Sequence, residues 1–90
     1  MKTIRLIISG SVQGIGFRKW IKRQAQRASV TGWVKNREDG AVESVVQGEA
    51  DAIQQLIIHI HQGPPLALVE GVFEEPIEDA SRYEDFIVIQ

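Results

Sequence analysis

The sequence of 90 residues contains no cysteine, which excludes disulfide bonds, thiolate nucleophiles and cysteine metal sites. It also lacks a long apolar run, because the apolar stretch from Ile4 to Ile8 is interrupted by Arg5. Five residues are too few for the core of a signal peptide or for a membrane span. These absences are compatible with a reducing compartment, and we expect a cytoplasmic protein that does not bind a membrane.

Negative charge is missing from the first part of the chain. Residues 1–37 hold nine basic residues and no acidic one, whereas residues 38–90 hold all twelve acidic residues and one arginine. The overall pI of 5.6 argues against a nucleic-acid partner. The simplest interpretation is that the two parts pack together and neutralise each other. Positive potential near residues 10–18 would favour a small anionic ligand.

The spacing of apolar residues predicts a ferredoxin-like α+β sandwich. Alternation predicts strands at 4–8, 31–36, 41–48, 69–75 and 86–89, with a bulge at Gly71 and a polar connection over 76–85. Helical spacing predicts helices from Phe17 to Ala28 and around Ile53 to Ile60. The order βαββαβ with one extra short C-terminal strand predicts an antiparallel-rich sheet with two helices on one face. We expect a single domain over residues 1–90 and the core strand order 4-1-3-2.

Three glycines, Gly10, Gly14 and Gly16, lie between the first strand and the first helix. They allow positive φ angles, so that successive N–H groups can converge on an anion at the positive end of the helix dipole. Arg18 follows in the first helical turn with a planar set of donors that fits a phosphate. The alternative is a glycine-rich turn followed by a solvated arginine.

Two common phosphate-binding loops do not fit this segment. A Walker loop needs Gly-Lys-Ser or Gly-Lys-Thr, whereas Gly16 precedes Phe17 and Arg18 here. The dinucleotide pattern needs a further glycine at position 19, which is Lys19. A phosphate loop in this chain therefore belongs to another class.

Topology predicts that Asn36 meets this glycine loop. The first two strands of a split βαβ unit are parallel, so their C-terminal ends lie at one edge of the sheet. The loop follows the first strand, and Asn36 ends the second strand on the same side as Gly32 and Val34. Loop, Arg18 and Asn36 therefore form a candidate site. Alternatively, Asn36 only starts the following turn, as asparagine often does.

Two segments together resemble the signatures of the acylphosphatase family. The first is Gly10-x-Val12-Gln13-Gly14-x-Gly16-Phe17-Arg18. The second is Gly32-Trp33-Val34-Lys35-Asn36, followed by Asp39-Gly40-x-Val42-Glu43. The similarity covers the whole chain, and Ile15, where the family more often has valine, is a minor departure.

The resemblance implies a hydrolase, an acylphosphatase, that cleaves acyl phosphates to carboxylate and inorganic phosphate without metal or other cofactor. It implies that Arg18 and the loop amides bind the phosphoryl group and that Asn36 positions the attacking water. The loop residues are Gln13, Gly14, Ile15, Gly16 and Phe17. A carboxylate is a good leaving group, so positioning and electrostatic stabilisation suffice. We expect inorganic phosphate to be product and competitive inhibitor, and the protein to be a monomer.

Two other functions are alternatives on the same fold. One is a related domain that handles carbamoyl phosphate within a larger hydrogenase-maturation protein, which the short chain disfavours. The other is a non-catalytic ferredoxin-like module that binds RNA, a small anion or a regulatory ligand. RNA binding on this fold needs exposed aromatic residues on the middle strands, and strands one and three contain none.

Overall fold

The computed structural model describes residues 1–78 and 81–90, and its elements follow the predicted order. They are β1 (Lys2–Ser11), α1 (Phe17–Arg27), β2 (Thr31–Asn36), β3 (Val42–Gly48), α2 (Ala50–Gln62), β4 (Leu68–Pro76) and β5 (Phe86–Ile89). β1 extends beyond the predicted 4–8 at both ends, because β3 and β4 pair with it on both sides. Part of the predicted connection over 76–85 lies outside the described residues.

The five strands form one sheet in the order β4-β1-β3-β2-β5. β3 is antiparallel to both β1 and β2, so β1 and β2 run in the same direction with their C-terminal ends at one edge. The predicted core order is therefore confirmed. β5 joins the sheet at its outer edge, parallel to β2. The predicted bulge in β4 occurs beside Gly71, where the register shift leaves Glu70 unpaired.

Both helices bury their apolar faces, which are the faces that helical spacing predicts. The buried helical residues are Phe17, Ile21 and Ala25 of α1 and Ile53, Leu56, Ile57 and Ile60 of α2. They join one core cluster with Ile4, Leu6 and Ile8 of β1. Each fully buried Leu, Ile or Phe contributes about 1.5–3 kcal/mol relative to an exposed one, so this core fixes how α1 and the loop before it sit on the sheet.

Ion pairs join the basic first part of the chain to the acidic remainder. Arg5 Nε lies 2.7 Å from Glu43 Oε2, and another nitrogen of the same guanidinium lies 3.1 Å from Glu75 Oε1. The hydrogen bond to Glu43, followed by that to Glu75, raises the pKa of Arg5 above its ordinary value. The simplest interpretation of the charge division is therefore confirmed for these strands. None of the ion pairs in residues 1–78 and 81–90 involves a basic residue of α1.

Candidate active site

A cleft of about 370 Å³ opens where β1 and β2 end and α1 begins. Its wall combines residues of the glycine loop with residues of α1, β2 and the C-terminal segment. The lining residues are Val12, Gly14, Gly16, Phe17, Arg18, Lys19, Asn36, Val88 and Gln90. The cleft thus brings Arg18 and Asn36, which are 18 positions apart in the sequence, to one place.

The loop presents free backbone donors. Gly14 and Gly16 have φ of 78° and 76°, the left-handed region in which glycine is favoured. Gly16 is also the N-cap of α1, and no side chain caps the first amides of the helix. Over the described residues, the amides of 13–16 donate to no backbone carbonyl. Together with the first amides of α1, which lack intrahelical acceptors, they can bind an anion.

Arg18 is held at the cleft by the last strand. One terminal guanidinium nitrogen donates to the carbonyl oxygen of Ile89 over 3.0 Å. The remaining N–H groups of the fork stay available for a second acceptor. Lys19, which is exposed, adds another cation to the lining, and none of the lining side chains that the structure describes is acidic. The cleft is therefore electropositive and suited to a phosphoryl group.

Asn36 reaches the same cleft from β2. It is the last residue of that strand, is paired in register with Val42, and is exposed. Gly32 and Val34, which share its face of the sheet, are buried beneath the helices. The alternation of the strand therefore places the Asn36 amide beside the start of α1, as the parallel arrangement of β1 and β2 predicts.

Two residues of the predicted loop set use their side chains elsewhere. The Gln13 amide nitrogen donates to the carbonyl oxygens of Arg37 and Ala41, each over 2.9 Å. The Ile15 side chain packs against the hydrophobic core. Only the backbone N–H groups of these two residues are therefore available to a phosphate.

The turn after Asn36 is held by its own charged groups. Asp39 Oδ2 accepts from Arg37 Nε over 3.2 Å, and Asp39 Oδ1 accepts from the Ala41 amide over 3.0 Å. The Arg37 hydrogen bond, and after it the Ala41 amide, lowers the pKa of Asp39 below its ordinary value. Asp39 therefore stays ionised at neutral pH and fixes the hairpin that carries Asn36.

Several cleft residues were not predicted from the sequence. These are Val12, Lys19, Val88 and Gln90, together with the Ile89 carbonyl that holds Arg18. Val88 and Gln90 could have been predicted only if the parallel pairing of β5 with β2 were known. This pairing carries the end of β5 to the edge of the sheet where Asn36 lies. The short strand itself is visible in the sequence, but its neighbour is not.

The described residues contain no cluster of side chains that could bind a metal ion. Across residues 1–78 and 81–90, no group of three or more His, Cys, Asp or Glu side chains is arranged to hold one. The same part of the chain contains no helix with the length and apolar character needed to cross a membrane.

A family model and curated relatives identify the family of this chain. The acylphosphatase family model matches residues 4–88. A curated acylphosphatase of Thiobacillus denitrificans is 53% identical over 72 residues, which cover 80% of this chain and 81% of that protein. The crystal structure of acylphosphatase from Bacillus subtilis superposes with a TM-score of 0.96 at 31% identity, covering 100% of both chains. Full-length HypF in a phosphate- and nucleotide-bound form also matches, with a TM-score of 0.88 and 29% identity, covering 99% of this chain and 12% of HypF.

Proposed function

The chain belongs to the acylphosphatase family, and from this premise we propose how its cleft hydrolyses acyl phosphates. The observation that carries the proposal is the meeting of Arg18, Asn36 and the loop amides in one electropositive cleft. In the reaction, the oxygen of a water molecule bonds to phosphorus and the bond between phosphorus and the acyl oxygen breaks. The products are a carboxylate and inorganic phosphate.

Arg18 and the backbone amides of residues 13–17 bind the phosphoryl group in this proposal. The left-handed glycines free those amides, and the Ile89 carbonyl orients the Arg18 guanidinium toward the cleft. Donors fixed in advance stabilise the equatorial phosphoryl oxygens without reorganising during the reaction. An arginine presents two parallel N–H groups to two oxygens, which a lysine cannot do.

Asn36 orients the attacking water in this proposal. Its side-chain carbonyl accepts a hydrogen bond from the water and its NH₂ group donates to a phosphoryl oxygen. The amide cannot take up a proton at neutral pH, so the proton released by the water passes to the phosphate oxygens. No general acid is needed at the leaving acyl oxygen, because the carboxylate is stable as an anion.

Several narrower proposals accompany this mechanism. Inorganic phosphate inhibits competitively, because the product presents the same oxygens to Arg18 and the loop. We also propose a single domain over residues 1–90, which a family match over residues 4–88 supports. We propose a monomer as the functional unit, because residues of one chain suffice to line the cleft. We also propose a cytoplasmic location, which cell fractionation checks.

The test is hydrolysis of acetyl phosphate and benzoyl phosphate by the purified protein in the presence of excess chelator. We expect full activity with chelator, because the proposed groups are an arginine, an asparagine and backbone amides. Loss of activity on chelation, restored by a divalent ion, would contradict the metal-free mechanism. Binding of phosphate without any turnover would instead indicate the non-catalytic module.

A further inference from the structure

Gln13 connects two segments that are distant in the sequence. Its side-chain NH₂ group donates to the carbonyl oxygens of Arg37 and Ala41, 24 and 28 positions away. Both acceptors are carbonyls, so the donating atom has to be the nitrogen of the amide. Ala41 also accepts from the Arg37 amide over 2.9 Å, so Gln13 closes onto the base of the hairpin turn.

We propose that Gln13 is a positioning residue that sets Asn36 at its working distance from the phosphate loop. Arg37 directly follows Asn36 in the chain, and Ala41 directly precedes Val42, the register partner of Asn36. On the other side, Gln13 directly precedes Gly14 in the loop. A rigid amide thus joins the two halves of the cleft, and this inference rests on the proposed function of Asn36.

The strands connect these two segments through β3, because Val42 pairs with both Ile8 of β1 and Asn36 of β2. Within residues 1–78 and 81–90, the two bonds of Gln13 are the side-chain hydrogen bonds between residues 12–16 and 36–42. Asn36 is exposed and therefore has few packing neighbours, whereas Gln13 is half-buried. The glycines that follow Gln13 make the loop conformationally adaptable. A fixed link is therefore needed to define the distance between the loop and Asn36.

The expected consequence is a loss of turnover rather than of binding. Misplacement of a reacting group by about 1 Å can cost on the order of 10²-fold in rate. Phosphate binding, in contrast, uses the Arg18 guanidinium and backbone N–H groups, including that of Gln13, which substitution of the Gln13 side chain retains. Gln13→Met keeps the length of the side chain and removes the donor, so kcat should fall about 10-fold or more.

The same variant should leave the inhibition constant of inorganic phosphate within about threefold of wild type, because ground-state binding is retained. Gln13→Asn, which is one methylene shorter and cannot reach both carbonyls, should behave in the same way. Thermal denaturation and circular dichroism give the folded fraction, so that kcat is expressed per folded molecule.

Gln47 supplies a matched control at the other end of β3. Its side-chain nitrogen donates to Thr3 Oγ1 over 3.0 Å and to the Ser81 carbonyl over 2.9 Å, and its oxygen accepts from the Tyr83 amide. Gln47→Met should lower the melting temperature yet leave kcat per folded molecule unchanged. If Gln13 acted only by making the fold more rigid, kcat would fall in both Gln13→Met and Gln47→Met.

A double-mutant cycle with Asn36→Ala decides whether Gln13 acts through Asn36. If it does, adding Gln13→Met to Asn36→Ala should lower kcat by less than about twofold further, because coupled residues are not additive. Multiplicative losses, a raised inhibition constant for phosphate, or normal kcat in folded Gln13→Met would each overturn the proposal. Absence of acyl phosphate hydrolysis in the wild-type protein would instead refute the proposed function, and normal kcat in Asn36→Ala would refute the role of Asn36.

Discussion

Replacement of Asn36 by alanine should separate an effect on catalysis from an effect on folding. Asn36 is exposed at the end of β2, and its side chain makes no hydrogen bond with the described residues. Exposed substitutions without such contacts change the free energy of unfolding by about 0.5 kcal/mol or less. For a domain of this size that corresponds to about 3 °C in melting temperature.

The expected effect on catalysis is several times larger. Removing one preorganised polar group from an active site costs about 10²–10³-fold in kcat, or about 2.7–4 kcal/mol of transition-state stabilisation. Phosphate inhibition should stay nearly unchanged, because Arg18 and the loop amides remain. Asn36→Asp should be worse than its shape suggests, since a carboxylate repels the phosphoryl oxygens and weakens binding as well.

The assay measures kcat, KM and phosphate inhibition for acetyl phosphate, with the melting temperature of the same preparation. Gln54→Ala, which removes an exposed amide from α2 away from the cleft, is the control and should match wild type. If Asn36 only stabilises the turn, Asn36→Ala should lower the melting temperature and leave kcat per folded molecule unchanged. If its melting temperature falls well beyond about 3 °C while kcat per folded molecule is intact, the catalytic assignment is wrong.

Two further predictions concern Arg18 and Gly32. Arg18→Lys keeps the charge but loses the two-pronged contact, so phosphate affinity and kcat should both fall, and near-normal kinetics would rule out a bidentate role. Gly32 has φ of 137°, and an added Cβ would overlap the carbonyl oxygen of Val45. Gly32→Ala should therefore lower the free energy of unfolding, measured by urea denaturation, by about 3 kcal/mol or more. Gly48, where an added Cβ meets its nearest neighbour at 3.6 Å, provides the comparison, and equal stability of Gly32→Ala and Gly48→Ala would refute the clash.

Local pattern determined most of the fold. The alternation in 31–36 and the helical spacing from Phe17 are properties of neighbouring residues, so the sequence alone predicts the elements. Chain connectivity adds that β1 and β2 are parallel, because a crossover helix joins them. That single rule was enough to predict that Asn36 and Arg18 share one edge of the sheet. The two family signatures pointed to the same residues independently.

Tertiary structure alone decided how the site is held together. Nothing in the segment 86–89 indicates that β5 lies parallel beside β2, yet that pairing brings the Ile89 carbonyl to Arg18 across 71 positions. In the same way, the sequence suggested Gln13 as a loop residue, whereas its side chain bonds to the hairpin 24 and 28 positions away. Periodicity reports which face a residue occupies, but a side-chain hydrogen bond depends on where a distant backbone carbonyl is placed by packing, and that placement exists only in the folded chain.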